Sequence, residues 1–232
     1  TYTVTSTFGA AWATSPRSGI SKSYSFTFQF KVDSTAPTMN NVSTSSTGKY
    51  TNSSTYVSAS DSMSGGEGIY MKTPGSSSYG NMGTSTTVSS SGTNGLYSFY
   101  AKDKAGNTSR TYFLYLDTVK PTGTIKNSSG TEITGSYTNQ TFSYSATDSG
   151  SGISYLQYRK PGSSSWLTYT SGTSISASAA SGTYQFRAVD KAGNISATKS
   201  ITLDSSKPTM TLYSGDVSAS NGFKSIANYI KA

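Results

Sequence analysis

Asp103-Lys104-Ala105-Gly106-Asn107 and, 87 residues further on, Asp190-Lys191-Ala192-Gly193-Asn194 are the same five residues written twice. The register extends outward from them. Tyr50-Thr51-Asn52 returns as Tyr137-Thr138-Asn139, Asp61 as Asp148, and Pro74-Gly75-Ser76-Ser77-Ser78 as Pro161-Gly162-Ser163-Ser164-Ser165. Gly95, Tyr97, Phe99 and Ala101 return as Gly182, Tyr184, Phe186 and Ala188. A second pattern frames the repeat: Asp33-Ser34-Thr35-Ala36-Pro37, Asp117-Thr118-Val119-Lys120-Pro121 and Asp204-Ser205-Ser206-Lys207-Pro208, with prolines 84 and 87 residues apart. Self-similarity at a fixed period is the mark of a repeat array. The second copy carries three extra residues near Ser128 to Ile133, which reads as a longer surface loop.

Two complete modules follow, at 34–117 and 118–204. Residues 1–33 then supply the last strands of a preceding module, at Tyr2–Thr7 and Tyr24–Val32, and 205–232 begin a following one. The chain opens on Thr1 with no signal peptide, so the expectation is an internal piece of a longer protein.

Within the modules apolar residues alternate at period two, as strands with one buried face require. Tyr24, Phe26, Phe28, Phe30 and Val32 share one parity, as do Tyr184, Phe186 and Ala188, and Ile201 and Leu203. In Ile153–Lys160 apolar residues fall on both parities, which predicts a bulge or register change. Pro74-Gly75 and Pro161-Gly162 fit type II turns, giving hairpins from Ile69–Lys72 into Tyr79–Met82 and from Leu156–Lys160 into Trp166–Tyr169. Gly106-Asn107 and Gly193-Asn194 turn the chain into each module's last strand. About seven strands per module, with turn signals every 8–12 residues or so, is the pattern of a sandwich. The expected fold class is all-β: tandem immunoglobulin-like β-sandwich modules with essentially no helix. The predicted core of the second module is Ile125, Phe142, Tyr144, Leu156, Tyr158, Trp166, Ile175, Tyr184, Phe186, Ile195, Ile201 and Leu203.

Composition narrows the function classes. Only 33% of the 232 residues are hydrophobic, yet 18 are tyrosine, which argues against simple disorder. The net charge of +8 reflects a shortage of acids; the basic residues are scattered and no run exceeds Arg159-Lys160, unlike the clustered patch of a nucleic-acid reader. The absence of Cys and His removes disulfides, thiol chemistry, imidazole bases and the commonest zinc ligands. No apolar run is long enough to span a membrane as a helix. No Gly-x-Ser-x-Gly elbow is present, and the acids recur in every module as structural positions do, so the chain is read as non-enzymatic.

At the Asp-x-x-x-Pro and Asp-Lys-Ala-Gly-Asn positions the sequence resembles the bacterial immunoglobulin-like (Big/Bap-like) tandem repeats of giant cell-surface proteins and adhesins. The resemblance covers both complete modules. It implies an extracellular stalk or spacer, on a bacterial surface or secreted, whose partners are neighbouring modules of the same chain and which projects a distal functional domain. It also implies that calcium can rigidify such modules. The alternative is a module that binds cell-wall or host glycans, or a host protein; the candidate platforms are Tyr70, Tyr79 and Trp166, though Trp166 also suits the core.

Seven of the ten acids sit at repeated positions: Asp33, Asp61, Asp103, Asp117, Asp148, Asp190 and Asp204. Two readings stay open. Calcium takes six to eight oxygen ligands, which carboxylates and loop carbonyls supply. Aspartates in Gly/Ser/Asn-rich turns also cap their own backbone. An internal Lys–Asn crosslink, a third device known in surface domains, would need a buried lysine.

Overall fold

In the computed structural model the described residues are 2–9, 23–209, 211–218 and 224–231; over 2–9, 23–30, 211–218 and 224–231 only the backbone is described. The predicted alternation of Phe26, Phe28 and Phe30 therefore lies outside the described side chains. The chain divides into two compact units, each treated in turn. No helix occurs among the described residues, and every element is a strand.

The first unit begins with β1 (Tyr2–Gly9) paired antiparallel to β2 (Ser23–Phe30). Its module then runs β3 (Thr38–Asn40), β4 (Lys49–Thr51), β5 (Thr55–Ser60), β6 (Gly66–Lys72), β7 (Gly80–Asn81), β8 (Ser85–Val88), β9 (Gly95–Asp103) and β10 (Tyr112–Leu116). Strands β3-β5-β8 form one sheet and β4-β10-β9-β6-β7 the other. Met39, Val57 and Val88 from the first sheet pack with Ile69, Tyr97, Phe99, Ala101, Leu114 and Leu116 from the second. This is the two-layer sandwich that thin alternating strands can build.

The second unit repeats the order with β11 (Thr122–Asn127), β12 (Tyr137–Thr138), β13 (Phe142–Thr147), β14 (Ile153–Arg159), β15 (Leu167–Tyr169), β16 (Ser174–Ile175), β17 (Gly182–Asp190) and β18 (Lys199–Leu203). Its sheets are β11-β13-β16 and β12-β18-β17-β14-β15. Beyond them β19 (Thr211–Ser218) pairs antiparallel with β20 (Lys224–Lys231).

Each module has eight strands where the sequence suggested about seven. The first strand is split: β3 pairs antiparallel with β5, whereas β4 crosses to the other sheet and pairs parallel with β10. The second module does the same with β11 and β12. A parallel pair leaves no hairpin signal, so the split is silent in the sequence.

Local chemistry locks the frame at matching places. Tyr97 Oη donates to the Thr93 carbonyl at 2.9 Å and Tyr184 Oη to the Ala180 carbonyl at 3.0 Å, each four residues upstream at the start of the long strand. This is the tyrosine corner of immunoglobulin-like sandwiches. Just before it, Gly95 and Gly182 hold φ of +133° and +131°, and a Cβ there would lie 2.9 Å from Pro74 Cβ and 2.7 Å from Pro161 Cβ. Glycine fits on both counts. The Pro-Gly turns close with Ser76 N–H to Thr73 O at 3.0 Å and Ser163 N–H to Lys160 O at 3.1 Å. The register shift between Ile153 and Tyr155 is the irregularity expected in that strand.

Two core expectations are corrected. Ile195 is 43% exposed, because the residue after it, Ser196, points inward: its hydroxyl accepts the Ala188 N–H at 2.9 Å and donates to Ala197 O at 3.0 Å. Trp166 lies outside the buried cluster, for reasons given below. Tyr169, absent from the expected core, is buried within it.

Candidate functional site

In the first module the aspartates converge where three segments meet. The loop after β5 is held by Asp61, whose Oδ1 accepts the N–H groups of Met63, Ser64 and Gly65 at 3.0, 2.9 and 3.0 Å. The segment leading into β3 brings Asp33, whose Oδ1 accepts the Thr35 N–H at 2.9 Å and whose Oδ2 accepts the Ser64 N–H at 3.0 Å. The turn after β9 brings Asp103, fully buried, whose two oxygens accept the backbone and side-chain N–H groups of Asn107, both at 2.8 Å. The Asn107 amide also donates to the Asp33 carbonyl at 3.0 Å. One carboxylate oxygen from each of Asp33, Asp61 and Asp103 lies within 4.8 Å of the others.

The hydrogen-bond donors that hold these carboxylates are neutral amides, while Lys31 and Lys104 line the cavity beside Asp33. Asp61 Oδ2 is buried and accepts no hydrogen bond. Hydrogen bonding from Ser64 and from the Thr35 N–H favours ionised Asp33 and holds it below the usual carboxylate range. Three oxygens of one sign, one of them buried and lacking a donor, fit a hard cation that takes carboxylate and carbonyl ligands. The residues that would hold calcium are therefore Asp33, Asp61 and Asp103.

In the second unit the equivalent side chains behave alike. Asp148 Oδ2 accepts the N–H groups of Gly150 and Gly152 at 2.9 and 2.8 Å, while its Oδ1 is buried without a donor. Asp190 accepts the Asn194 backbone N–H at 2.8 Å and its amide at 2.7 Å. The other two candidates close strands. Asp117 is buried at the end of β10, donates its N–H to Thr51 O and accepts the Val119 N–H at 3.0 Å. Asp204 follows β18 and accepts from both the N–H and the hydroxyl of Ser206, which holds it below the usual range. Turn capping is thus present at all seven aspartates. The asparagine clamp was not singled out in the sequence, although Asn107 and Asn194 close the very motif that defines the repeat.

The three aromatic candidates differ from one another. Trp166 is half-buried, with the Arg159 and Arg187 guanidinium carbons 4.3 and 4.1 Å from its ring centre. Arg187 is itself held by Gln157 at 2.8 Å. The tryptophan is thus neither core nor an open platform. Tyr70 stacks on Tyr100 with centroids 4.8 Å apart and planes 3° from parallel, and Tyr79 meets Tyr100 edge-on at 4.9 Å. Tyr100 was missed in the sequence; its parity opposite the buried Phe99 and Ala101 was the available signal. Every described lysine is half-buried or exposed, so none meets the condition for an internal crosslink.

The fold and these motifs define the class: immunoglobulin-like β-sandwich modules in tandem. No family model matches the sequence, and no curated protein does. Among solved structures, the chain is similar to the fibronectin(III)-like modules of Clostridium thermocellum CbhA, at 15% identity and a TM-score of 0.39, over 72% of this chain and 92% of that one. Among the described residues no helix is long and apolar enough to cross a membrane.

Proposed function

We propose that the chain is a non-catalytic spacer segment of a large bacterial surface or secreted protein, of the Big/Bap-like kind, whose modules carry a distal functional domain. One observation supports this best. The residues that recur between modules tie loops to strands: the Asp103–Asn107 and Asp190–Asn194 clamps match within 0.1 Å at both contacts. A repeated catalytic or binding site would instead place its recurring side chains toward a cleft.

Calcium deepens this reading. Bound by Asp33, Asp61 and Asp103, it would fix the segment leading into β3 to two loops of its own module, stiffening the place where a stalk bends most easily. The aspartates at the same register in the next repeat are Asp117, Asp148 and Asp190. The test is thermal unfolding of the chain in calcium and in chelator. The expected result is a higher melting temperature with calcium, a gain that shrinks in Asp61→Asn. An identical melting temperature in both would remove calcium from the account and leave the aspartates as turn caps.

A further inference from the structure

We infer that the outer face of the β4-β10-β9-β6-β7 sheet is a binding surface for an acidic glycan. Ile69, Tyr97, Phe99, Ala101, Leu114 and Leu116 point into the core. Strand alternation therefore places Tyr70, Lys72, Tyr100, Lys102, Phe113 and Tyr115 on the opposite side. Tyr50 joins them from β4, its ring 5.4 Å from that of Tyr115. The rings crowd enough that Ser98, on this same face between Lys72 and Phe113 in the register, is only 6% exposed.

The fold does not require these aromatics. At the same register the second module has Gln157 for Tyr70, Arg187 for Tyr100, Ser200 for Phe113 and Thr202 for Tyr115. Its inner face meanwhile keeps Leu156, Tyr184, Phe186, Ala188, Ile201 and Leu203 buried. Tyr50 alone of this row keeps its ring, as Tyr137, whereas four aromatics held on one copy and replaced by polar residues on a copy of the same build answer to something outside the sandwich.

Charge identifies the partner. Lys72 Nζ lies 5.4 Å from the Tyr79 ring centre and Lys102 Nζ 5.5 Å from that of Tyr70. The acids in these five strands are Glu67, at the bulge in β6, and the buried Asp103 that closes β9. Tyrosines offer apolar ring surface for sugar C–H groups and hydroxyls for sugar oxygens, while the two ammonium groups match carboxylate or sulfate. A neutral glycan would leave the lysines unused.

The test is affinity electrophoresis and calorimetry of the whole chain with polygalacturonate, dextran sulfate and neutral dextran. The key variant combines Tyr70→Gln, Tyr100→Arg, Phe113→Ser and Tyr115→Thr, each introducing what the second module already carries. It adds one positive charge, so attraction by charge alone would persist or grow. The expected result is binding to an acidic polymer, carboxylated or sulfated, and not to dextran. The variant should weaken that binding roughly tenfold or more, the scale of losing interfacial aromatic anchors, whereas Trp166→Ala leaves it unchanged. Should the variant fail to melt cooperatively, Lys72→Ala with Lys102→Ala replaces it and must weaken binding in the same way. Retention of neither acidic polymer would overturn the inference, as would retention that the variants leave intact. Self-association of the chain that the variant dissolves, without glycan binding, would likewise overturn it in favour of protein docking.

Discussion

In the second module Tyr144 on β13 fills the core over Gly123 on the neighbouring β11, where a Cβ would fall 2.6 Å from the tyrosine ring. At the same two places the first module has Val57 and the buried Met39. One copy puts the volume on the second strand and makes room on the first; the other divides it between both. Across the core, Phe99 and Phe186, Ala101 and Ala188, and Leu116 and Leu203 are identical and buried. The difference teaches which side of the sandwich is the more adjustable: the sheet carrying the tyrosine corner keeps most of its buried side chains, whereas the three-stranded sheet exchanges Met39 and Val57 for Gly123 and Tyr144, and Thr55 for the buried Phe142.

Exchanging the parts of this pair should have the largest effect. Gly123→Met alone drives a side chain into Tyr144 and should cost roughly 3 kcal/mol, the upper end for overpacking. Adding Tyr144→Val recreates the first module's pair and should restore most of the loss, read from denaturant midpoints of the single and double variants. A double variant no better than the single would show that the two modules do not share this packing rule.

The loop clamp comes next. Asn107→Ala leaves a carboxylate oxygen of buried Asp103 and the Asp33 carbonyl without their amide donor, and should cost about 1–2 kcal/mol. Hydrogen exchange should show the segment leading into β3 opening more readily than the core strands.

The cores also predict different responses to alkali. Burial pushes Tyr144, Tyr169 and Tyr184 above the ordinary tyrosine value of 10.0 in the second module, and Tyr97 in the first. A folded pKa raised above the unfolded one gives stability that is complete below the unfolded value and is lost as pH rises through the folded values. The second module should therefore be the more alkali-sensitive, seen as the steeper fall in melting temperature between about pH 9 and about pH 12. Acid acts more weakly. Asp33 is held below its ordinary 3.8, so its contribution is complete above that value and fades as pH falls through the lower folded one. Asp33→Asn should flatten the acid limb of the melting curve, by an amount kept small through solvent screening.

The repeat itself, the Pro-Gly turns, the irregular strand at Ile153 and most of the second module's buried residues could be read from the sequence, because each depends on near neighbours and on period two. The rest depends on pairings between distant segments. Asp33 and Asp61 meet because β3 pairs antiparallel with β5, bringing the start of one beside the end of the other. Trp166 has the size of a core residue, yet two arginines on neighbouring strands hold it on the outer face. The aromatic row of the first module emerges only when five strands are set in their order, since its residues come from segments as far apart as Tyr50 and Tyr115.

Stretching single tethered chains tests the spacer account most directly. Each module should unfold separately and under load, releasing roughly 300 Å of chain, as 84–87 residues at about 3.6 Å each require. Two such steps per molecule, shifted to higher force by calcium, are the predicted result. A smooth extension without discrete steps, or a single step spanning both modules, would contradict it.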